Sequence, residues 1–447
     1  MCTMSENQAT DKVLNKTCGI DFGSSAIAVA VTSSDNPLGS QLVGNMLANE
    51  TTPGVVKMYR DVVTIGEDAV ATATACPQNV FSHIPLILHY SDNISELKEK
   101  YPDLCFSIHK GEDNQLYFDV ADDSLFTEIS LTQVMGLLFN YIRKIVSVKN
   151  PENLKHTVVS LPPNLPASST RIILDAAHLA GIENVQLVST TTAQSYHYAL
   201  RLKNASEIPA DGERSILFVD QGSCFTSLYI LRVTPTESSI VYSSEKQLGA
   251  KDVDRYLYDY FVAKLKNKVE IKPFTKRAIR LMNGCSRLKK MLSAANKAAF
   301  TVDGLLEDGD YQLELTRAQF EDIIRSHIKE FEGMVKKLKE EYTGTIDAVE
   351  MIGGGSRMAF MQTIVKEVIG LPLRFTVDSA SCIAKGCALL GMYADVQSMM
   401  PMKEPIFLPV EEENKELFAK IQEMDKKLLE RTANQEAKAE IVNRYES

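Results

Sequence analysis

Nowhere in the 447 residues is there an unbroken apolar run of about eighteen, the length a membrane-crossing helix needs, so no membrane partner is expected. Met1 to Lys16 is polar and lacks the apolar core of a secretory signal, which gives the expectation of a cytoplasmic protein. Basic residues are in the minority, 48 against 58 acidic, so no basic surplus exists to coat a phosphate backbone and direct nucleic-acid binding is not expected. The local basic run Lys264, Lys266, Lys268 reads as a solvated helix face. The eight cysteines are scattered with no C-x-x-C pair. Cys382 and Cys387 are too isolated to suggest zinc, and all eight read as reduced, mostly buried thiols. The sequons at Asn15, Asn49, Asn93 and Asn204 read as chance occurrences. The length allows two to four domain-sized units with a large buried core.

What is present is a repeat. Cys18-Gly19-Ile20-Asp21-Phe22-Gly23-Ser24-Ser25-Ala26-Ile27 returns about two hundred residues later as Ile216-Leu217-Phe218-Val219-Asp220-Gln221-Gly222-Ser223-Cys224-Phe225. Each copy reads as an apolar strand, an Asp, a residue, a Gly, small polar residues and a second strand. Small residues at such a bend let backbone N–H groups approach an anion. An Asp at the strand end can hold the waters of a Mg²⁺ that a triphosphate brings with it. A single D-x-G-S turn is commonly an ordinary hairpin, but a third element supports a nucleotide cleft. Ala348 to Ile352 is a strand running into Gly353, Gly354, Gly355, Ser356 and Arg357, followed by the helical pattern Phe360, Met361, Ile364, Val365, Val368. Bare backbone there would accommodate a flat ring or sugar, and a helix N-terminus favours anions.

Strand and helix patterns alternate along the chain. Val158 to Leu161 is a buried strand stopped by proline, and Ser168 or Ser169 is expected to cap a helix with Ile172, Ile173, Ala176 and Leu179 on one face, closed by Gly181. Further helices are expected over Leu131–Val148, Asp252–Lys268, Thr275–Ala295 and Thr316–Tyr342. The repeat makes this a duplicated α/β fold.

The two hairpins, Val158 to Pro162, Leu174-Asp175-Ala176-Ala177 with Ala180-Gly181, Ser286 to Ala294, and Gly353 to Arg357 together resemble the nucleotide-binding domain of DnaK-type chaperones, the heat shock protein 70 superfamily with its actin-like (ribonuclease H-like) fold. The resemblance runs over about residues 16–395. The wording Arg287-Leu288-Lys289-Lys290, Phe218-Val219-Asp220 and Val134 to Tyr141 is closer to the large branch, the heat shock protein 110 class and its lumenal glucose-regulated relatives. It implies two lobes, about 16–212 and 213–395, after a flexible 1–15. It also implies ATP or ADP with Mg²⁺. Asp21 and Asp220 would flank the metal through water. Gly23, Ser24, Ser25, Gly222 and Ser223 would hold phosphates, Lys289, Lys290 and Ser293 would contact adenosine, and Gly353, Gly354, Gly355, Ser356 and Arg357 would back the ribose and base. The family's hydrolytic positions are changed: its water-orienting lysine falls at Ile84, the Glu of its Asn-Glu-Pro-Thr motif at Thr190, and the threonine of its second phosphate loop at Phe225. Each missing group typically costs orders of magnitude in rate, so no catalytic residue is assigned. His83 is the one conceivable substitute.

After the nucleotide domain a Pro- and Met-rich connector, 396–411, leads to one polar helix, 412–447, with no room for a peptide-gripping β-sandwich. Leu417, Ile421, Met424 and Leu428 form an apolar seam that either meets a partner or packs on its own lobe. The expected role is a nucleotide exchange factor for a heat shock protein 70 partner. The alternatives are a ribosome-associated scaffold working with a J-domain protein, and an active ATPase chaperone. The lumen of the endoplasmic reticulum is the alternative location, since large-branch relatives there resemble this chain about as well.

Overall fold

The computed structural model describes residues 15–446 apart from 34, 35, 102, 103, 163, 164, 393–401, 403–405, 411 and 413. The expected N-terminal segment and most of the connector fall outside these residues.

Two sheets share one topology. In the first, Val185–Ser189, Thr157–Leu161, Cys18–Phe22, Ala26–Ser33 and Asn36–Leu42 lie in that order, and Thr51–Pro53 adds to Ala26–Ser33. In the second, Leu373–Arg374, Ala348–Ile352, Arg214–Gln221, Thr226–Val233 and Ser238–Lys246 follow the same order. In both, the central strand pairs antiparallel with its hairpin partner and parallel with the strand on its other side. Ile20, Val158 and Val159 in one sheet and Ile216 through Val219 in the other are fully buried, which is why these strands are near-continuous apolar runs. The register sets Asp21 opposite Ala28 and Ser160, and Asp220 opposite Ser227 and Ile352. The duplication therefore puts the two carboxylates at matching strand ends.

The halves are joined by two crossing helices. Thr190–Asn204 follows the last strand of the first sheet, yet Tyr196 and Tyr198 share a core with Phe218 and Tyr229 of the second. Cys382–Met392 follows the second sheet and lies on the first. A Cβ on Gly19 would sit 2.2 Å from the Ala384 oxygen, and one on Gly386 would sit 2.1 Å from the Ala193 oxygen. Only glycine permits these approaches.

Local structure departs from the sequence pattern in two helices. The helix expected to be capped by Ser168 or Ser169 runs Ala167–Leu179 with Pro166 as its cap, because proline's fixed φ starts the helix a turn earlier. The stretch Thr316–Tyr342 is broken into Arg317–Ile323 and Arg325–Glu341 around Ile324, whose side chain is fully buried. Helix Leu131–Ser147 is closed at its start by a capping box between Ser130 and Gln133.

Beyond the second sheet the described part of the connector touches both halves: Met402 bridges to Ser238, and Phe407 to Val188. Helix Lys415–Glu446 then packs on the first lobe, against helices Leu131–Ser147 and Ala167–Leu179 and strand Val62–Ile65. The seam is spent there: Ile421 and Leu428 are buried, Leu417 and Met424 half-buried. Arg431 anchors it. Its guanidinium donates to Asp61 Oδ1 at 2.7 Å and Asp123 Oδ2 at 2.6 Å, with Nε on the Asp61 carbonyl and its plane near Phe126. Asp425, buried beside Gln133, has its carboxyl pushed up to about 7 by burial.

Arg431→Ala leaves the enclosed Asp123 carboxylate without its counter-charge, so it should cost about 3 kcal/mol in chemical denaturation. Arg431→Lys should recover little, because an ammonium cannot reproduce the guanidinium fork. Truncation after Val410 should lower the melting temperature, and an unchanged melt would show that the helix does not hold this lobe.

Candidate functional site

Two contiguous cavities occupy the cleft between the lobes, sharing Ser25, Gly222, Ser223 and Gly354 at their junction. The smaller holds both hairpin bends: Asp21, Gly23 and Ser24 from one lobe, Asp220 and Phe225 from the other. The hairpin tips meet there, Ser24 and Ser25 of one facing Ser223 and Cys224 of the other in the same lining. Among the described residues, no lysine, arginine or histidine lines this cavity. Burial pushes the Asp21 carboxyl up to about 7, the Asp220 charge adds to the rise, and a hydrogen bond from Ser160 Oγ at 3.1 Å opposes it. Asp220 is also raised by burial, opposed by Gln194, whose amide donates at 2.8 Å. Gln194 is oriented in turn by the Tyr229 hydroxyl at 2.7 Å.

Two enclosed carboxylates without a basic neighbour are stabilised by a cation, and a phosphate chain enters such a place only with one. Among the described residues no cluster of three or more His, Cys, Asp or Glu could hold a metal directly. The donor set thus fits a hydrated Mg²⁺ held by Asp21 and Asp220. In the glycine turn, Gly353 (φ 78°) and Gly355 make room for Gln221, whose oxygens would stand 2.2 and 2.5 Å from an added Cβ, while Gly354 has nothing within 4 Å of that place and leaves bare backbone open to a ligand.

The larger cavity lies on the other side of the junction, against helix Lys276–Ala294. Lys289, Lys290, Ser293, Gly354 and Gly355 line it. Lys289 is already engaged, paired with Asp254 at 2.9 Å and donating to the Ala250 carbonyl at 2.7 Å, so it positions that wall more than it offers a free charge. Ser356 and Arg357 stand apart from the expected set. Ser356 is buried with its hydroxyl turned back on the Gly353 carbonyl at 2.8 Å, and Arg357 is exposed outside both cavities. Both belong to the 3-10 turn Gly354–Arg357.

The altered hydrolytic positions fall in different places. Ile84 is buried in the first lobe's core, one residue after His83 in the left-handed region at φ 57°. Thr190 and Phe225 line the smaller cavity. His83 lines the larger cavity instead, away from the two aspartates, with Nδ1 2.9 Å from Ser82 Oγ, so it does not stand in for the lysine. Sequence reasoning missed Ser160 and Gln194. Ser160 was visible as the polar residue of an apolar strand; Gln194 stands one helical turn beyond Thr190, a spacing that puts both on one face.

A carboxyl raised to about 7 favours the protonated native form. Its contribution to stability is full below the ordinary carboxylate range, falls as pH rises, and is lost by about pH 7, whereas cation binding needs the ionised form. Mg²⁺ with an adenine nucleotide should therefore bind roughly tenfold more tightly at about pH 8 than at about pH 6. Calorimetry in wild type and Asp21→Asn checks this: the variant should bind weakly with a shallower pH profile, Asp220 being left to titrate, and a flat wild-type profile would contradict it.

The family profile described as "Hsp70 protein" matches residues 17–436. The chain is 28% identical over 384 residues to "Heat shock 70 kDa protein 14" of Arabidopsis thaliana, covering 83% of this chain and 45% of that one. It is 25% identical to "Heat shock protein 88" of Dictyostelium discoideum, covering 83% and 48%, and 26% identical to a heat shock protein homolog of Candida glabrata, covering 86% and 56%. It spans about half the length of the curated relatives it matches. With duplicated sheets, a two-lobed cleft and a family match over most of its length, the chain belongs to the heat shock protein 70 family, in agreement with a place on its large branch.

Proposed function

We propose that this protein is a chaperone-system cofactor that holds an adenine nucleotide with Mg²⁺, hydrolyses it little or not at all, and acts as a nucleotide exchange factor for a heat shock protein 70 partner in the cytoplasm. The observation that carries the reading is a division within the cleft. Asp21, Asp220, the serine bends and the glycine turn converge on it, while Ile84 is buried away from it and Thr190 and Phe225 bring neither an acidic nor a basic group to its smaller cavity. Bound Mg²⁺ would neutralise phosphate charge. Asp21 and Asp220 would orient its waters, Ser160 and Gln194 would hold those carboxylates, and the bends would seat the phosphates. Ile84 and Phe225, at two of the family's hydrolytic positions, can neither carry a proton nor position an attacking water.

A clamp of this kind suits exchange. Tyr90 and Lys100 of the first lobe bond to Gln247 of the second at 2.6 and 2.5 Å, and Tyr101 bonds to Asp252 at 3.1 Å. Cys224 is buried in the first lobe's core. These contacts hold the lobes at one relative angle and present one outer surface to a partner. The names of the relatives, heat shock proteins all, support a role in the same system.

Saturating protein should speed release of a fluorescent nucleotide from a heat shock protein 70 chaperone by roughly tenfold or more in stopped flow. Single-turnover assays of the protein alone should show no hydrolysis above background. Absence of acceleration would overturn the exchange reading, and turnover would restore the ATPase.

A further inference from the structure

Phe225 stands where the second hairpin crosses the cleft. Its carbonyl accepts from the Gly222 N–H at 2.9 Å, closing the bend tightly, and its side chain lines the smaller cavity. The ring reaches the opposite lobe: it meets His89 edge-on, centroids 5.3 Å apart at 75°, and packs against the first lobe's core, in which the preceding Cys224 is fully buried. Tyr90, next to His89, is tied back to the second lobe through Gln247. The ring is therefore clamped from both lobes, and swinging it aside would break packing on each.

A nucleotide whose nucleoside lies in the larger cavity runs its phosphates across the junction at Ser25, Gly222 and Ser223 into the smaller one. The first phosphates meet the serine hydroxyls and the cation between Asp21 and Asp220. The Phe225 ring shares that cavity's lining with Pro162, Ile352 and Ile383 and with the hydroxyls of Thr190, Ser227 and Ser379, and no basic side chain is among the described lining. A third phosphate there would have to share the space with the clamped ring, with no cationic side chain to take its charge.

We propose that Phe225 limits the length of the phosphate chain, so that the cleft selects nucleoside diphosphates over triphosphates. This rests on the nucleotide-binding reading above and narrows it to one ligand class.

Competition of Mg-ADP and Mg-ATP against a fluorescent ADP analogue tests it. Wild type should hold ADP about tenfold or more tighter than ATP, the worth of one unsatisfied charged contact. Phe225→Thr should bring the two affinities within about threefold while changing ADP affinity by less than about twofold. His89→Ala, which loosens the ring without removing it, should move the ratio the same way and covers the case in which the first variant folds poorly. A wild-type ratio near one, or variants that fold and leave the ratio unchanged, would overturn the proposal while leaving nucleotide binding intact. Binding of neither nucleotide to wild type would overturn both readings together.

Discussion

Gly386 and Ala193 meet almost backbone to backbone, and the arrangement of the cleft follows from that contact. The helix that carries Gly386 leaves the second sheet and packs on the first, and the one that carries Ala193 packs between the two sheets, so neither lobe completes its core alone. Any side chain larger than hydrogen at Gly386, or at Gly19 beneath the same helix, would drive that helix off its sheet and separate the two strand ends that carry Asp21 and Asp220. The carboxylates come together because the core that joins the lobes is shared.

Charge in the cleft is sharply divided. Among the described residues the smaller cavity has two aspartates and no basic side chain, whereas the larger has Lys251, Lys289 and Lys290 with Asp254 tied to one of them. An anion entering the smaller cavity would thus need an added cation, whereas the larger carries charges of both signs.

The fold class was legible because the duplication is written twice in local residues: an Asp, a Gly and small polar residues at matching positions announce both hairpins without any long-range information. The altered hydrolytic positions, by contrast, came only from the family resemblance, since neither Ile84 nor Thr190 lies in the duplicated hairpins. Other features depend on packing that a local pattern does not carry. Ser356 and Arg357 look like a continuation of the glycine turn, but the Ser356 hydroxyl turns back on the Gly353 carbonyl and Arg357 is exposed. The apolar spacing over Thr316–Tyr342 runs through Ile324 unbroken, and so do the hydrogen bonds from Ile324 to Phe320 and from Ile328 to Ile324; the two helices are divided only by the backbone angles at Ile324, φ −96° and ψ 18°. The seam of the last helix showed that it needed a surface. That the surface is its own lobe is decided by Asp61, Asp113 and Asp123, which lie about three hundred residues or more earlier and receive Lys420 and Arg431.

The last helix also covers a sheet edge. Strand Val62–Ile65 is the outermost of its three-stranded sheet, and an outermost strand offers open amides and carbonyls to any passing chain. Gln435 lies across it: its side-chain oxygen accepts from the Val63 N–H at 3.4 Å and its amide donates to the Asp61 carbonyl. A single side chain thus imitates the peptide unit of a neighbouring strand. The helix acts there as a cover against edge-to-edge pairing, keeping copies of the protein from adding to one another's sheets.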